Sequence, residues 1–352
     1  MTSKERILCA LNHSEPDAPP TDYYATPEIE RALLQHFNIT STDSLLDILG
    51  TDIRRIDPPY TGKPLPSFDD GSFINIWGIR KKPVPNEYGD YAESIDPPYA
   101  SWASIKEAER FSWPDPDSYD YDAIPALIDQ YPGKAIAVGG TSVQDFINGT
   151  AFGRGVEQTL IDIAVRDPVF LFIVEKRHRF YMRHIERMLD SGKGRIDLVL
   201  CGDDFGSQRG LLISPKDFDE LFASRKKELF DLAHAYGAKV SHHCCGSSRE
   251  LIPRFIDLGM DALQTIQPQA KGMDPYDLKK HYAGRICLHG CMDVQGFLQR
   301  ATSDAIVAET NRLMDEVGKG GGLIIAPSHN IQPDTPVEHV LAFYETIAKR
   351  RA

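Results

Sequence analysis

The chain has no apolar run approaching the roughly 20 residues a bilayer-spanning helix needs. It also has no block of Lys and Arg. Of its 352 residues, 39 are Lys or Arg and 51 are Asp or Glu, a formal net charge of −12. Nucleic acid and anionic membrane both demand a localised basic excess, so neither is expected as a partner. No Gly-x-Gly-x-x-Gly turn follows a β-rich run, which argues against a dinucleotide-binding sheet. Cysteine is sparse, with six residues at positions 9, 201, 244, 245, 287 and 291. The opening MTSKERILCALNHSEPD reads as a charged helix rather than a secretory signal, so a cytoplasmic location is expected. In a reducing compartment those thiols are core residues or ligands, not a disulfide set.

What is present is a regular alternation. Six β-rich runs cover residues 135–140, 196–204, 238–245, 262–268, 285–291 and 322–329, with helical patterns between them. Ser214-Pro215-Lys216-Asp217 opens one helix, with a cap and a first-turn proline. Thr335-Pro336-Val337-Glu338 reads as a capping box opening the last, which carries Val340, Leu341, Tyr344 and Ile347 on one face. Strand and helix in turn imply parallel strands joined by right-handed crossovers. Residues 19–25 and 51–59 supply first and second strands. Nearly every run ends in polar residues: GGTS, GDDFGSQ, HHCCGS, QTIQP, HGCMD and APSHN. A barrel brings all its strand ends to one mouth, whereas an open sheet gathers ligands at one switch point. The expected fold is therefore a (β/α)8 TIM barrel over 1–352. Residues 60–121, rich in Pro, Gly, Asp and Tyr with a hairpin in SFINIWGIRKKPV, form an insertion decorating its mouth.

The densest chemical signal is Ser241-His242-His243-Cys244-Cys245-Gly246 at a strand end. Residues two apart on a strand point the same way, so His243 and Cys245 can converge while His242 and Cys244 face the helix layer. Imidazole and thiolate suit zinc. A catalytic zinc takes three protein ligands and keeps one open position; His329, at the end of the eighth strand, is the expected third. Asp203, Asp204, His289, Cys291 and Asp293 are further candidates near the mouth. Asp204 and Asp293 are assigned a proton-transfer role, and Gln208, Gln267 and Tyr24 the substrate contacts, with Gln264 also at the mouth. Arg54 and Arg55, ending the second strand, read as exposed surface charge or as a carboxylate site.

These residues carry a family resemblance. From ERILCALNHSEPDAPP to TPVEHVLAFYETIA the chain resembles the uroporphyrinogen decarboxylase superfamily, and more its corrinoid-dependent methyltransferase branch than the decarboxylases. That branch, which includes methylcobamide:coenzyme M methyltransferases and O-demethylases of methoxylated aromatics, holds zinc with His-x-Cys-Gly and a Cys on the last strand. His243-Cys244-Cys245-Gly246 matches the first half, while His329 stands where coenzyme M enzymes carry Cys. The resemblance implies zinc as cofactor, a small methylated substrate, and a corrinoid (cobalamin) supplied by a partner protein. No Asp-x-His-x-x-Gly corrinoid signature occurs in the chain. A homodimer stays open. The runner-up is tetrapyrrole decarboxylation, although TDYYATPEIER lacks the arginine cluster by which decarboxylases hold substrate carboxylates. A non-catalytic metal or corrinoid-docking protein and a metal-dependent hydrolase are the remaining alternatives.

Overall fold

The structure, a computed structural model, describes residues 1–85, 87 and 89–351. Seven parallel strands follow one another around a curled sheet: β1 (Ile53–Arg55), β5 (Ala135–Gly139), β6 (Leu198–Gly202), β7 (Lys239–His243), β8 (Ala262–Ile266), β9 (Cys287–Met292) and β10 (Leu323–Pro327). The eighth position is filled by residues 20–25, which make bridges rather than a continuous strand. Thr21 pairs in parallel with Ile325 of β10, Pro20 O accepts from Ile325 N at 2.8 Å, and Thr21 O accepts from Asp52 N at 2.9 Å. Pro19 and Pro20 have no N–H to give to a ladder, so the closing strand is short. The expected barrel is what forms.

Alternation sorts the side chains. One face of the strands fills the barrel with Ile53, Ala135, Ala137, Leu198, Leu200, Ala262, Cys287 and Ile324, closed off by Ile7 and Leu11 from the helix Ser3–Leu11. The other face meets the helix layer in the main core. Small interior residues suit a narrow barrel packed with side chains. Among the described residues no helix is long and apolar enough to cross a membrane.

Residues 60–121 contain a three-stranded antiparallel sheet, β2 (Phe73–Ile74), β3 (Arg80–Pro85) and β4 (Asp90–Asp96), where the sequence suggested one hairpin. The segment after it buries Tyr99 and Ala108 against Val169 and Ile173. Those two belong to the long helix Pro168–Gly192. From the hairpin side, Trp77 packs edge-on against Phe180 of the same helix, ring centroids 5.2 Å apart. The insertion thus uses the barrel's helix layer as the other half of its core.

Two local expectations come out differently. The capping box at Pro215–Leu221 forms, Ser214 and Asp217 exchanging hydrogen bonds. The one expected at Thr335 does not: the last helix, Val337–Lys349, is capped by Pro336 without a side-chain bond, and the buried Thr335 hydroxyl has no partner among the described residues. Proline at the cap shifts the helix start by one residue, so the spacing that a capping box needs is lost.

Closure is clamped at one carboxylate. Asp52, fully buried, accepts from Thr21 N at 2.7 Å, Arg6 at 3.0 Å and Arg351 at 2.6 Å, tying the first strand and both ends of the chain together. Asp52→Ala strips a buried, charge-assisted cluster of its anion and should cost about 3 kcal/mol. Urea unfolding should show this as a lower midpoint at unchanged slope; an unmoved midpoint would mean that closure is held elsewhere.

Candidate metal centre

β7 ends at His243 with its side chain inside the barrel mouth, and the chain runs on through Cys244 and Cys245 in the same extended sense. His242 points outward, its ring 4.9 Å from that of Phe255, and Cys244 is fully buried beside it. His243 and Cys245 share the inner side, with Nε2 and Sγ 3.1 Å apart. The Nε2/Nδ1 and Sγ atoms of His243, Cys245 and His329 all lie within 4.8 Å of one another, and the two imidazole centroids are 5.9 Å apart. Modest side-chain rotation lets one small ion touch all three. Gly246 then turns the chain away at φ +72°, where a Cβ would stand 2.6 Å from Ser207 O. Both the left-handed backbone and the close approach require glycine there.

The surroundings orient this set. Gln264 Oε1 lies 3.1 Å from His243 Nδ1. A carbonyl oxygen can only accept, so Nδ1 carries the proton and Nε2 presents its lone pair toward Cys245, as metal-bound histidines are commonly held. Gln267 Oε1 accepts from Gly246 N at 2.6 Å, and Asp204 Oδ1 accepts from Cys245 N at 2.8 Å, so the loop bearing the thiol is pinned from two sides. Asn148 Nδ2 donates to the other Asp204 oxygen at 2.8 Å. Asp204 Oδ1 stands 3.7 Å from His243 Nε2. Burial pulls the His243 pKa below the usual imidazole value, and burial followed by the His243 charge does the same at His329. Both are therefore neutral, the form that ligates. Burial, then the Asp204 charge, pushes the Cys245 thiol up. A protonated thiol held between two neutral imidazoles fits a cation that would take its proton's place.

His243 and His329 open on a cavity of about 230 Å³ lined also by Tyr24, Asp145, Asn148, Asp204 and Thr265. Of the substrate contacts expected, Tyr24 is on this wall, while Gln208 and Gln267 line an adjoining cleft that shares His329 and reaches Cys245. Asp293 is not brought to the trio. Its carboxylate accepts from Gln295 N, Phe297 N and Gln269 Nε2 at 2.7–2.9 Å and borders a separate cleft with Tyr276 and Arg312. Three donors on one carboxylate are the arrangement of a turn and helix start.

Arg54 and Arg55 are not surface charges. Arg54 faces outward but is buried, donating to Asp47 at 2.6 Å and Thr51 at 2.7 Å. Arg55 points into the barrel, bonded to Asp22 and Tyr24. His289 completes that inner network, Nε2 3.1 Å from Asp22. Asp22, Asp145 and Asn148 went unread in the sequence. The last two follow the β5 strand end in GGTSVQDFINGT, and the rule that strand ends carry chemistry reaches them once the loop is followed a few residues further.

Two imidazoles and a thiol at the carboxyl mouth of a parallel barrel stand where barrel enzymes carry their active sites, as a group able to hold a metal ion. The family model for uroporphyrinogen decarboxylase (URO-D) matches residues 149–350, and the chain belongs to that family. Among solved structures it is similar to a methyltransferase from Methanosarcina mazei, with 17% identity over 100% of both chains and a TM-score of 0.64. It is also similar to xylanase 10B from Thermotoga maritima, 9% identical over 99% of this chain and 98% of that one, with a TM-score of 0.45. At 17% identity the likeness to the methyltransferase is one of fold. No curated protein matches the chain in sequence.

Two outcomes follow from the geometry. Zinc uptake should release about one proton, from Cys245, because both imidazoles are already neutral. Apparent zinc affinity should then rise roughly tenfold per pH unit between about pH 6 and 8, and Cys245→Ser should flatten the slope; competition with a chromophoric chelator measures both. Gln264→Leu leaves the three donors in place but frees the His243 ring, and should weaken zinc about 10- to 100-fold. Unchanged affinity would show that Gln264 does not orient the ligand.

Proposed function

We propose that the protein is a zinc-dependent methyltransferase that moves a methyl group between a small O- or S-methylated substrate and a corrinoid carried on a partner protein. The observation that supports this most is the convergence of two neutral imidazoles and one thiol at the strand ends, where two adjoining cavities share His329. A thiol-containing donor set of three suits zinc with a free coordination position, and the family is one that the chain demonstrably joins. Bound there, zinc supplies Lewis acidity to the heteroatom that carries the methyl group, making it a better leaving group.

The chain's own residues do the rest. Gln264 fixes the His243 tautomer, and Gln267 with Asp204 holds the Cys245 loop, so the donors are set before substrate arrives. In demethylation the bond from methyl carbon to heteroatom breaks and the methyl passes to the acceptor. The heteroatom keeps the electron pair and gains a proton. Asp204, held by Asn148 beside the trio, is placed to handle that proton; Asp293, committed to its turn, is not.

Decarboxylation of a polycarboxylate fits less well. Such a substrate needs several free cations; no Lys or Arg lines the cavity at His243, and Arg54 and Arg55 are already engaged by Asp47 and Asp22.

The test is transfer from methoxylated aromatics and methylated thiols to a reduced corrinoid protein. Stripping zinc with a chelator, or His243→Ala, should lower the rate at least about 100-fold, the equivalent of roughly 3 kcal/mol of lost Lewis-acid stabilisation. Full transfer by the metal-free protein would sink the proposal. Asp204→Asn should slow turnover of oxygen donors more than of thiol donors, because an alkoxide or phenoxide needs the proton more than a thiolate does. Equal slowing of both would remove Asp204 from the proton path.

A further inference from the structure

Beside the metal cavity lies a second, larger one of about 520 Å³, and the two share Thr141, Asp145 and Phe152 as a common wall. It sits between the hairpin sheet and the helix Pro168–Gly192. Its size is in the range of pockets that enclose a small organic ligand. Trp77, Phe152, Phe180 and Tyr181 stand around it, an aromatic surround suited to a flat ring.

Two cations face this space. Arg177 is 2% exposed. Its guanidinium lies 4.2 Å over the Trp77 ring, Nε donates to Asp145 O at 3.1 Å, and Nη1 has no partner among the described residues. Lys81 of β3 is half-buried, with Nζ 4.1 Å over Phe152. Neither makes an ion pair with any described residue within 4 Å. Asp57 and Asp145 also border the cavity; the Asp145 carboxylate accepts from Asn148 N at the start of the helix Ile147–Arg154, and neither acid comes within 4 Å of either cation to form an ion pair. Gly149 on that helix leaves room for the guanidinium; a Cβ there would stand 2.0 Å from Arg177 Nη2. The backbone is thus shaped around a buried guanidinium that makes no ion pair within 4 Å among the described residues. Leaving such a group without a counter-charge is costly unless a ligand provides one.

We propose that this cavity holds the non-methyl part of the substrate, a planar aromatic ring bearing a carboxylate that Arg177 and Lys81 anchor, with the methylated heteroatom extending past Phe152 toward His243. This rests on the methyl-transfer reading for the role of the ring, but the anion anchor itself does not require it. The specificity-determining groups then come from the insertion and the long helix, outside the strand ends that supply the metal ligands.

The experiment is calorimetric titration of the zinc-loaded full-length protein with 3-methoxybenzoate, methoxybenzene and cyclohexanecarboxylate. 3-Methoxybenzoate should bind most tightly. Arg177→Met should weaken it roughly 10- to 100-fold, as for a lost hydrogen bond to a charged group, and Lys81→Gln about fivefold, with methoxybenzene affinity unchanged in both. Lys81 is half-exposed on a sheet strand, so its variant keeps the fold and decides the matter if Arg177→Met does not fold. Binding of methoxybenzene or cyclohexanecarboxylate as tight as that of 3-methoxybenzoate overturns the proposal, and so does a folded Lys81→Gln variant that binds 3-methoxybenzoate as the wild type does. Charge-selective binding without methyl transfer to a corrinoid protein would sink the proposed reaction and leave the anchor standing. Transfer from charged and neutral aryl ethers alike, unaffected by Lys81→Gln, would do the reverse.

Discussion

Along an extended segment, side chains two apart fall on the same side, and in a barrel strand that side is the interior. The spacing of His243 and Cys245 places both donors in the mouth while His242 and Cys244 enter the helix-facing core. A shift of one residue would bury the ligands among Phe205, Phe230 and Phe255 and turn the core pair to the cavity. Everything else at the centre serves this alternation. Gly246 ends the extended run, Gln264 and Gln267 from the next strand lock ring and loop, and Asp204 from the preceding strand end takes the Cys245 amide.

The protein keeps its charges in two different states. Inside the barrel, Arg55 pairs with Asp22 and His289 Nε2 stands 3.1 Å from the same carboxylate, and at the closing seam Asp52 is shared by Arg6 and Arg351. These clusters are self-contained and structural in character. Around the cavities the groups are incompletely paired: a thiol between two neutral imidazoles, and a buried guanidinium with a free nitrogen. Buried polar groups are normally satisfied. Arg177 Nη1, which has no partner among the described residues, belongs to the cavity beside the hairpin. Residue identity alone does not separate site from scaffold: Arg54 and Arg55, two adjacent arginines at a strand end, look available in sequence yet are both neutralised.

The insertion changes the character of the mouth. Its hairpin contributes Trp77 and Lys81, and its aromatic segment is packed on the same helix that carries Arg177, Phe180 and Tyr181. The barrel core and the candidate metal ligands come from the repeating β/α pattern, while the neighbouring cavity depends on an irregular segment that a family member can alter without disturbing the strands.

Hydrophobic periodicity and polar strand ends were enough for the barrel, because both are local signals repeated along the chain. The short-range alternation in HHCC was enough to pick the two donors that face inward, and the strand-end rule was enough to add His329. What the sequence by itself could not determine was pairing at a distance. Asp293 reads like a mouth residue, but three donors hold it at a turn in another cleft. Thr335 has the spacing of a capping box, but the helix begins one residue later. Arg177, Lys81 and Phe152 lie on three elements far apart in sequence and share a cavity only because the insertion folds back over the helix layer. Local composition is written residue by residue. Which charge meets which counter-charge is settled only when packing brings distant segments together.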